Sequence, residues 1–194
     1  MNEPDKSNGY EEIAPTFIYG RNTSDVGASL VEGWSRMLAP GATVLDLGCG
    51  SGVPISQTLI ENGFKVYGID ASPTLAASFR ARFPGVPMEC DAVEESCFFE
   101  RIFEGVVAWG LFFLLEAEAQ RNLIGKVSTA LVPGGKFLFT APSQNCSWRD
   151  NLTGRMSTSL GLDQYRTVLE VAGFTLLGTR RDEGENHYYL AEKR

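Results

Sequence analysis

Between residues 25 and 39, Val26, Leu30, Val31, Trp34, Met37 and Leu38 recur at three- and four-residue spacing, and Pro40-Gly41 stops the pattern. That is the signature of a helix with one apolar face. An earlier helix is expected over residues 9–20. Thr43-Val44-Leu45-Asp46-Leu47 reads as a short buried strand running into Gly48-Cys49-Gly50-Ser51-Gly52. A helix over about 53–62 follows, with Asn62-Gly63 suited to its C-terminal cap. Phe64 to Ile69 is a second apolar strand, closed by Asp70. Ser72 then caps a helix that has Pro73 in its first turn and ends near Phe83, before Pro84-Gly85.

The alternation continues with a strand at 86–90 before Asp91, a helical segment near 93–101 and a strand at 105–109. Leu123, Ile124, Val127, Ala130 and Leu131 form the apolar stripe of a helix over about 116–131. Pro133-Gly134-Gly135 turns the chain into a fifth strand, 136–140. Residues 141–161, rich in Ser, Asn and Gly, read as a polar loop before a helix at 163–172. Strands at 174–181 and 187–192 are joined by only 182–186, which permits an antiparallel hairpin and no parallel return. Strands alternating with helices through short links specify an α/β domain: a mostly parallel sheet covered on both faces. No internal repeat or linker divides it, so one domain over 1–194 is expected.

The chain has 194 residues, 43% of them hydrophobic, and a net charge of −7. An acidic surface repels phosphate backbones, so no nucleic-acid partner is expected, and the adjacent Arg180 and Arg181 read as a solvated strand end. The polar start and the lack of a long apolar run lead us to expect a cytoplasmic protein with no membrane partner. Four cysteines without CxxC spacing, and one histidine, imply neither a disulfide framework nor a metal site. The thiols are expected to be reduced and mostly buried.

Chemistry concentrates at the strand ends. In open α/β sheets ligands bind beyond the carboxyl ends of the strands. Gly48, Gly50 and Gly52 let backbone approach a ligand closely there. Asp46 precedes them by two residues, and Asp70 ends the second strand 24 residues later, where a carboxylate can accept both ribose hydroxyls. Asp91 ends the third strand, where it can accept from an adenine amino group. Three acidic strand ends beside one glycine loop describe a nucleoside pocket. A dinucleotide fingerprint needs a third glycine where Val53 stands, and Asp46 faces a pyrophosphate unfavourably but pairs with a cationic amino group. An adenosyl amino acid is favoured over NAD.

Val44-Leu45-Asp46-Leu47-Gly48-Cys49-Gly50-Ser51-Gly52 resembles the first signature of the class I S-adenosylmethionine-dependent methyltransferases, of the small type 11/25-like kind. Tyr67 to Ser72, Cys90 to Val93 and Leu131 to Lys136 are similar to the later ones, in order. The resemblance covers about residues 42–140 and implies a Rossmann-like three-layer sandwich, with a seven-stranded sheet in the order 3-2-1-4-5-7-6 and an antiparallel last strand. It implies a helical lid (1–40), a cofactor-binding core (41–140) and a substrate-side loop, helix and hairpin (141–194). S-adenosyl-L-methionine would be the cofactor. Asp46, Gly48, Cys49, Gly50 and Gly52 would hold its methionine part, Asp70, Ala71 and Ser72 its ribose, and Asp91, Ala92 and Val93 its adenine. Tyr19 and Arg21 of the lid and Trp109 would complete that site, with Arg21 on the methionine carboxylate. One departure is Glu104, where many relatives begin the fourth strand with Asp.

Topology brings Trp109, the 145–150 stretch and His187 toward one mouth, with Tyr10 and Phe17 folding over it. Tyr10, Trp148, His187 and Tyr188 are the candidate acceptor contacts, and His187, titrating near neutrality, is the candidate general base. Phe112 and Phe113 are assigned to the core. Without an inserted domain, a small molecule bearing an O-, N- or S-nucleophile is the expected acceptor and a peptide or protein the next. A cofactor-binding regulatory protein without turnover and an NAD-dependent oxidoreductase are the alternatives from other classes. A monomer or weak homodimer is expected.

Overall fold

The computed structural model describes residues 5–194, so the first four residues of the expected lid lie outside the described residues. Two helices, α1 (Tyr10–Arg21) and α2 (Ala28–Ser35), precede alternating elements: β1 (Thr43–Leu47), α3 (Ile55–Glu61), β2 (Lys65–Asp70), α4 (Pro73–Arg82), β3 (Met88–Cys90), β4 (Phe103–Ala108), α5 (Ala117–Ala130) and β5 (Leu131–Thr140). A small hairpin, β6 (Cys146–Arg149) and β7 (Met156–Ser159), leads to α6 (Leu162–Val171) and the terminal strands β8 (Phe174–Arg181) and β9 (His187–Lys193). The main sheet has seven strands in the order β3-β2-β1-β4-β5-β9-β8, with β9 antiparallel to both neighbours. Counting only that sheet's strands, the order is the 3-2-1-4-5-7-6 that the resemblance implied.

Strand alternation sorts the core into two layers. Leu45 and Leu47 point to one face with Phe103, Phe137, Phe139, Tyr165 and Phe174. Val44, Val66 and Val107 point to the other with Val31, Trp34, Ile55 and Leu59. The same alternation puts Asp46 and Asp70 on the Val44 side, where α3 begins. Glu104, the departure noted above, holds the far end of the sheet together: its carboxylate accepts from Thr43 N at 2.7 Å and from the Thr43 hydroxyl.

Several expectations need correction. The helix expected near 93–101 is a single 3-10 turn at Phe98–Glu100. Phe98 is buried in the core while its neighbour Phe99 packs on Tyr67 at 5.1 Å, so two adjacent rings anchor the segment in place of a helical stripe. The polar loop 141–161 contains β6 and β7, registered Cys146↔Ser159 and Trp148↔Ser157. Its alternation lies in small hydroxyl residues, with Ser157 and Ser159 buried and Thr158 half-buried, so no apolar signal marked it. Strand β5 starts at Leu131 and crosses Pro133-Gly134-Gly135 through an irregularity in its pairing with β4. Of the four cysteines only Cys49 is buried, whereas Cys90 and Cys97 are exposed at the β3 end. No helix among the described residues is long and apolar enough to cross a membrane.

Candidate active site

A cavity of about 910 Å³ lies beyond the carboxyl ends of β1, β2 and β4. Its floor is Asp46, the loop from Gly48 to Ser51, and Asp70-Ala71; Ala92 and Val93 close one side and Trp109 to Leu111 the other. Tyr10, Ile13 and Phe17 of α1 form the roof, with Leu152 and Arg155 from the β6–β7 turn. This is an ample volume for a nucleoside-sized ligand and a small second molecule.

The two floor carboxylates are buried, with Asp46 only 1% exposed. Ser56 donates its hydroxyl to Asp46 Oδ2 at 2.6 Å. Asp70 accepts from Gly50 N at 2.8 Å and from Ser72 N at 2.9 Å, which ties the glycine loop to the start of α4. Burial raises the Asp46 carboxyl to about 7; the Ser56 hydrogen bond opposes the rise and the charge of Asp70 adds to it. Burial likewise raises Asp70 to about 6, against its two backbone hydrogen bonds and helped by Glu11. An uncompensated buried anion resists charging, and no cation among the described residues opposes the rise at either carboxyl.

Above it stands Arg21, whose guanidinium lies 4.1 Å over the Trp109 ring. Its hydrogen bonds, to Val53 O at 3.3 Å and Val26 O at 3.4 Å, are long, and it forms no ion pair among the described residues. Beside the loop, the buried Ser51 hydroxyl has no partner among the described residues, an open position for a ligand. A methyl group at Gly50 would face the Phe17 ring at 3.6 Å, across the space between loop and roof. Anionic floor, cationic wall and orphaned hydroxyl fit a zwitterionic amino-acid nucleoside.

The roof is tied down on three sides. Arg155 pairs with Asp5 at 3.0 Å and with Glu12 at 3.2 Å, and Lys6 pairs with Glu95 at 2.5 Å. Glu11 accepts from the Ser72 hydroxyl, from Thr74 N at 3.1 Å and from Thr74 Oγ1 at 2.7 Å, so α1 is fastened to the start of α4.

Of the residues singled out in the sequence, Tyr10, Arg21, Asp46, Gly48, Cys49, Gly50, Asp70, Ala71, Ala92, Val93 and Trp109 line this one cavity. Others lie outside its lining. Tyr19 is 76% exposed on the outer face of α1. Gly52 packs against Phe79 and Phe83, and Ser72 caps α4 by accepting from Leu75 N. Asp91 accepts from Ala92 N at 2.8 Å, a local turn contact. Trp148 packs on Phe113 at 5.6 Å, and Phe113, assigned to the core, lines the cavity instead, while Phe112 is fully buried. His187 packs edge-on against Tyr189 at 5.0 Å, and Tyr188 is buried beneath Trp109. Ile13, Leu111, Leu152 and Arg155 were not anticipated as lining, whereas Ser51 of the glycine loop and Asp150 of the 145–150 stretch were expected at this mouth. Leu152 and Arg155 had no periodic signal, because the turn that presents them is held by Asp150 accepting from Leu152 N and Thr153 N at 2.8 Å each.

A seven-stranded sheet in this order, with a glycine loop and acidic strand ends beneath a helical roof, is the Rossmann-like fold of the class I methyltransferases. Residues 44–135 match the family described as a methyltransferase domain. The chain is 32% identical over 134 residues to the ribosomal protein L11 methyltransferase of Thermus thermophilus, a match that spans 66% of this chain and about half (49%) of that relative's length. Among solved structures, the CcbJ methyltransferase of Streptomyces caelestis superposes with a TM-score of 0.76 at 17% identity, covering 100% of this chain and 99% of that one. An S-adenosylmethionine-bound amino pentose methyltransferase from Micromonospora echinaspora gives 0.74 at 17% identity, covering 94% and 97%. The methyltransferase-domain match thus falls on residues 44–135, and the solved structures share the Rossmann-like methyltransferase fold over nearly the whole chain.

Proposed function

We propose that this protein transfers the methyl group of S-adenosyl-L-methionine to an O-, N- or S-nucleophile of a small molecule enclosed beneath α1 and the β6–β7 turn. The observation that carries the reading is the cavity itself. It combines the buried Asp46–Asp70 floor, the unpaired Arg21 and an apolar roof. Asp46 and the loop from Gly48 suit the methionine ammonium, Arg21 its carboxylate, Asp70 the ribose, and Ala92 with Val93 the adenine. When bound, the sulfonium supplies an electrophilic methyl carbon. The chain's part is to align the acceptor and keep water out, and alignment of this kind replaces an entropically costly encounter.

No imidazole lines the cavity among the described residues. The Tyr10 phenol, raised to about 12 by burial and by Asp150, stays protonated and serves as a hydrogen-bond donor to the acceptor. Among the carboxylates of the lining, Asp150, close enough to Tyr10 to raise its phenol, is our candidate to receive a proton from an acceptor that sheds one. A protein acceptor is the second reading, favoured by the identity to the L11 enzyme. Calorimetry should show binding of S-adenosylhomocysteine and none of NAD. Radiolabelled methyl transfer to a small-molecule panel and to peptides then separates the readings. Labelled peptide alone would favour the second, binding without transfer would favour a regulatory role, and NAD binding alone would overturn both.

The floor makes ligand response depend on pH. In the ligand-free protein the two carboxyls are raised above the unfolded value of 3.8, so between about pH 4 and 7 the folded state binds more protons than the unfolded chain. Their contribution to stability is therefore complete at low pH and declines as pH rises through that window. A bound ammonium reverses the preference, because it favours ionised Asp46. At pH 5.5 S-adenosylhomocysteine is expected to bind about 30-fold more weakly than at pH 8, since one pH unit below the pKa is about tenfold. The thermal shift it produces should shrink in parallel; a shift independent of pH would separate Asp46 from the ligand's cation.

A further inference from the structure

We infer that Tyr188, held by Asp182, is a positioning residue: it sets the Trp109 indole, and through it the Arg21 guanidinium, for the carboxylate of the cofactor's methionine part. The inference rests on the proposed function.

The chain of contacts begins in the turn between β8 and β9. Asp182 is buried, and its Oδ1 accepts from Gly184 N and Asn186 N at 2.9 Å each. Its Oδ2 accepts from Asn186 Nδ2 at 2.9 Å and from the Tyr188 hydroxyl at 2.8 Å. The carboxylate is thus fixed by its own turn and cannot swing. Tyr188 is fully buried, so its only hydroxyl proton goes to Asp182, leaving the oxygen lone pairs for another donor. Trp109 Nε1 supplies that donor at 2.5 Å. An indole has one N–H, and satisfying it defines the in-plane rotation of the ring.

The ring so fixed faces the cavity and carries the Arg21 guanidinium on its face. Arg21 needs such a platform, because its hydrogen bonds to carbonyls are long and it has no ion pair among the described residues. A guanidinium held flat, with N–H groups to spare, matches a carboxylate in a paired fork.

The linker between α1 and α2 is fitted to the same pair. A methyl group at Gly27 would lie 2.7 Å from the Tyr188 hydroxyl oxygen and 2.8 Å from Trp109 Nε1. Gly27 N also donates to Glu183 of the β8–β9 turn at 3.1 Å. The end of the chain therefore braces the residue near its beginning that would meet the ligand.

The test is Tyr188→Phe, with calorimetry of two ligands: S-adenosylhomocysteine, and 5′-methylthioadenosine, which keeps the nucleoside and thioether but has no carboxylate. The expected result is about tenfold weaker binding of the first and a change within about twofold for the second. In an Arg21→Ala background the same substitution should produce no further loss, because its effect runs through that guanidinium. Equal weakening of both ligands, an unchanged affinity for the first, or additive losses with Arg21→Ala would each overturn the inference. If Tyr188→Phe does not fold, Gly27→Ala, which presses on the same oxygen and nitrogen, should show the same split between ligands. Failure of the unmodified protein to bind either ligand would instead count against the proposed function.

Discussion

Asp46→Asn will melt at a higher temperature than the parent at pH 8 and bind S-adenosylhomocysteine about 100-fold more weakly. The two effects share a cause. Asp46 is fully buried, and its carboxyl is raised from 3.8 to about 7 chiefly by burial, so ionising it in the empty protein opposes folding. A displacement of that size corresponds to about 4 kcal/mol, since one pH unit is worth about 1.4. Asparagine keeps an acceptor for Ser56 but brings an amide that needs its own partner, so about half should be recovered. For a domain of this size about 2 kcal/mol is a rise of about 4–8 °C. Binding moves the other way, because truncating one partner of a desolvated ion pair costs about 2–5 kcal/mol. Thermal melts with and without ligand, beside calorimetry at pH 8, check both. A lower melting temperature would refute the account of the buried charge, and unchanged affinity would remove Asp46 from the binding site.

Gly52→Ala is expected to lower the melting temperature by about 10 °C, although this position lies outside the cavity lining. Gly52 has φ of 83°, in the left-handed region, where a side chain costs about 1–2 kcal/mol. Its Cβ would lie 2.4 Å from Phe83 Cε2 and 2.9 Å from Phe79 Cδ2. Phe83 is half-buried and can yield, but Phe79 is fully buried, so a further penalty of about 1–3 kcal/mol follows from overpacking. Gly50→Ala is the contrast. Its φ of 57° carries the same backbone cost, yet its nearest neighbour is Phe17 at 3.6 Å across open cavity. It should lose only the backbone share of the stability, with no packing penalty, and much ligand affinity. Scanning calorimetry and ligand titration of the two variants separate a glycine required for packing from one required for close approach. Equal melting temperatures would contradict the distinction.

Much of this was legible along the chain because it depends on local rules. Thr43 to Leu47 had to be a strand, since three apolar residues, a β-branched threonine and an aspartate lead into glycines that cannot continue it. Ser72-Pro73 marked a helix start, and the Ser72 hydroxyl does accept from Leu75 N. The short link 182–186 required an antiparallel closing pair, which β8 and β9 form. Asp46 and Asp70 were recognisable as site residues because strand ends in such sheets converge, and both line the cavity. The β6–β7 hairpin escaped notice because its buried positions are serines, one of which, Ser159, donates to Pro142 O at 2.7 Å.

The amino-acid sequence by itself determined the alternation of strands and helices, the glycine loop and the acidic strand ends, because periodicity, capping and turn chemistry act over a few residues. Only the tertiary structure decided that His187 lies against Tyr189 outside the cavity lining, that Leu152 and Arg155 close over it, and that Tyr188 holds Trp109 beneath Arg21. Those outcomes depend on which way a side chain points and on partners up to 167 residues apart in the chain, as Arg21 and Tyr188 are. Such encounters are set by the packing of whole layers, which no local pattern encodes.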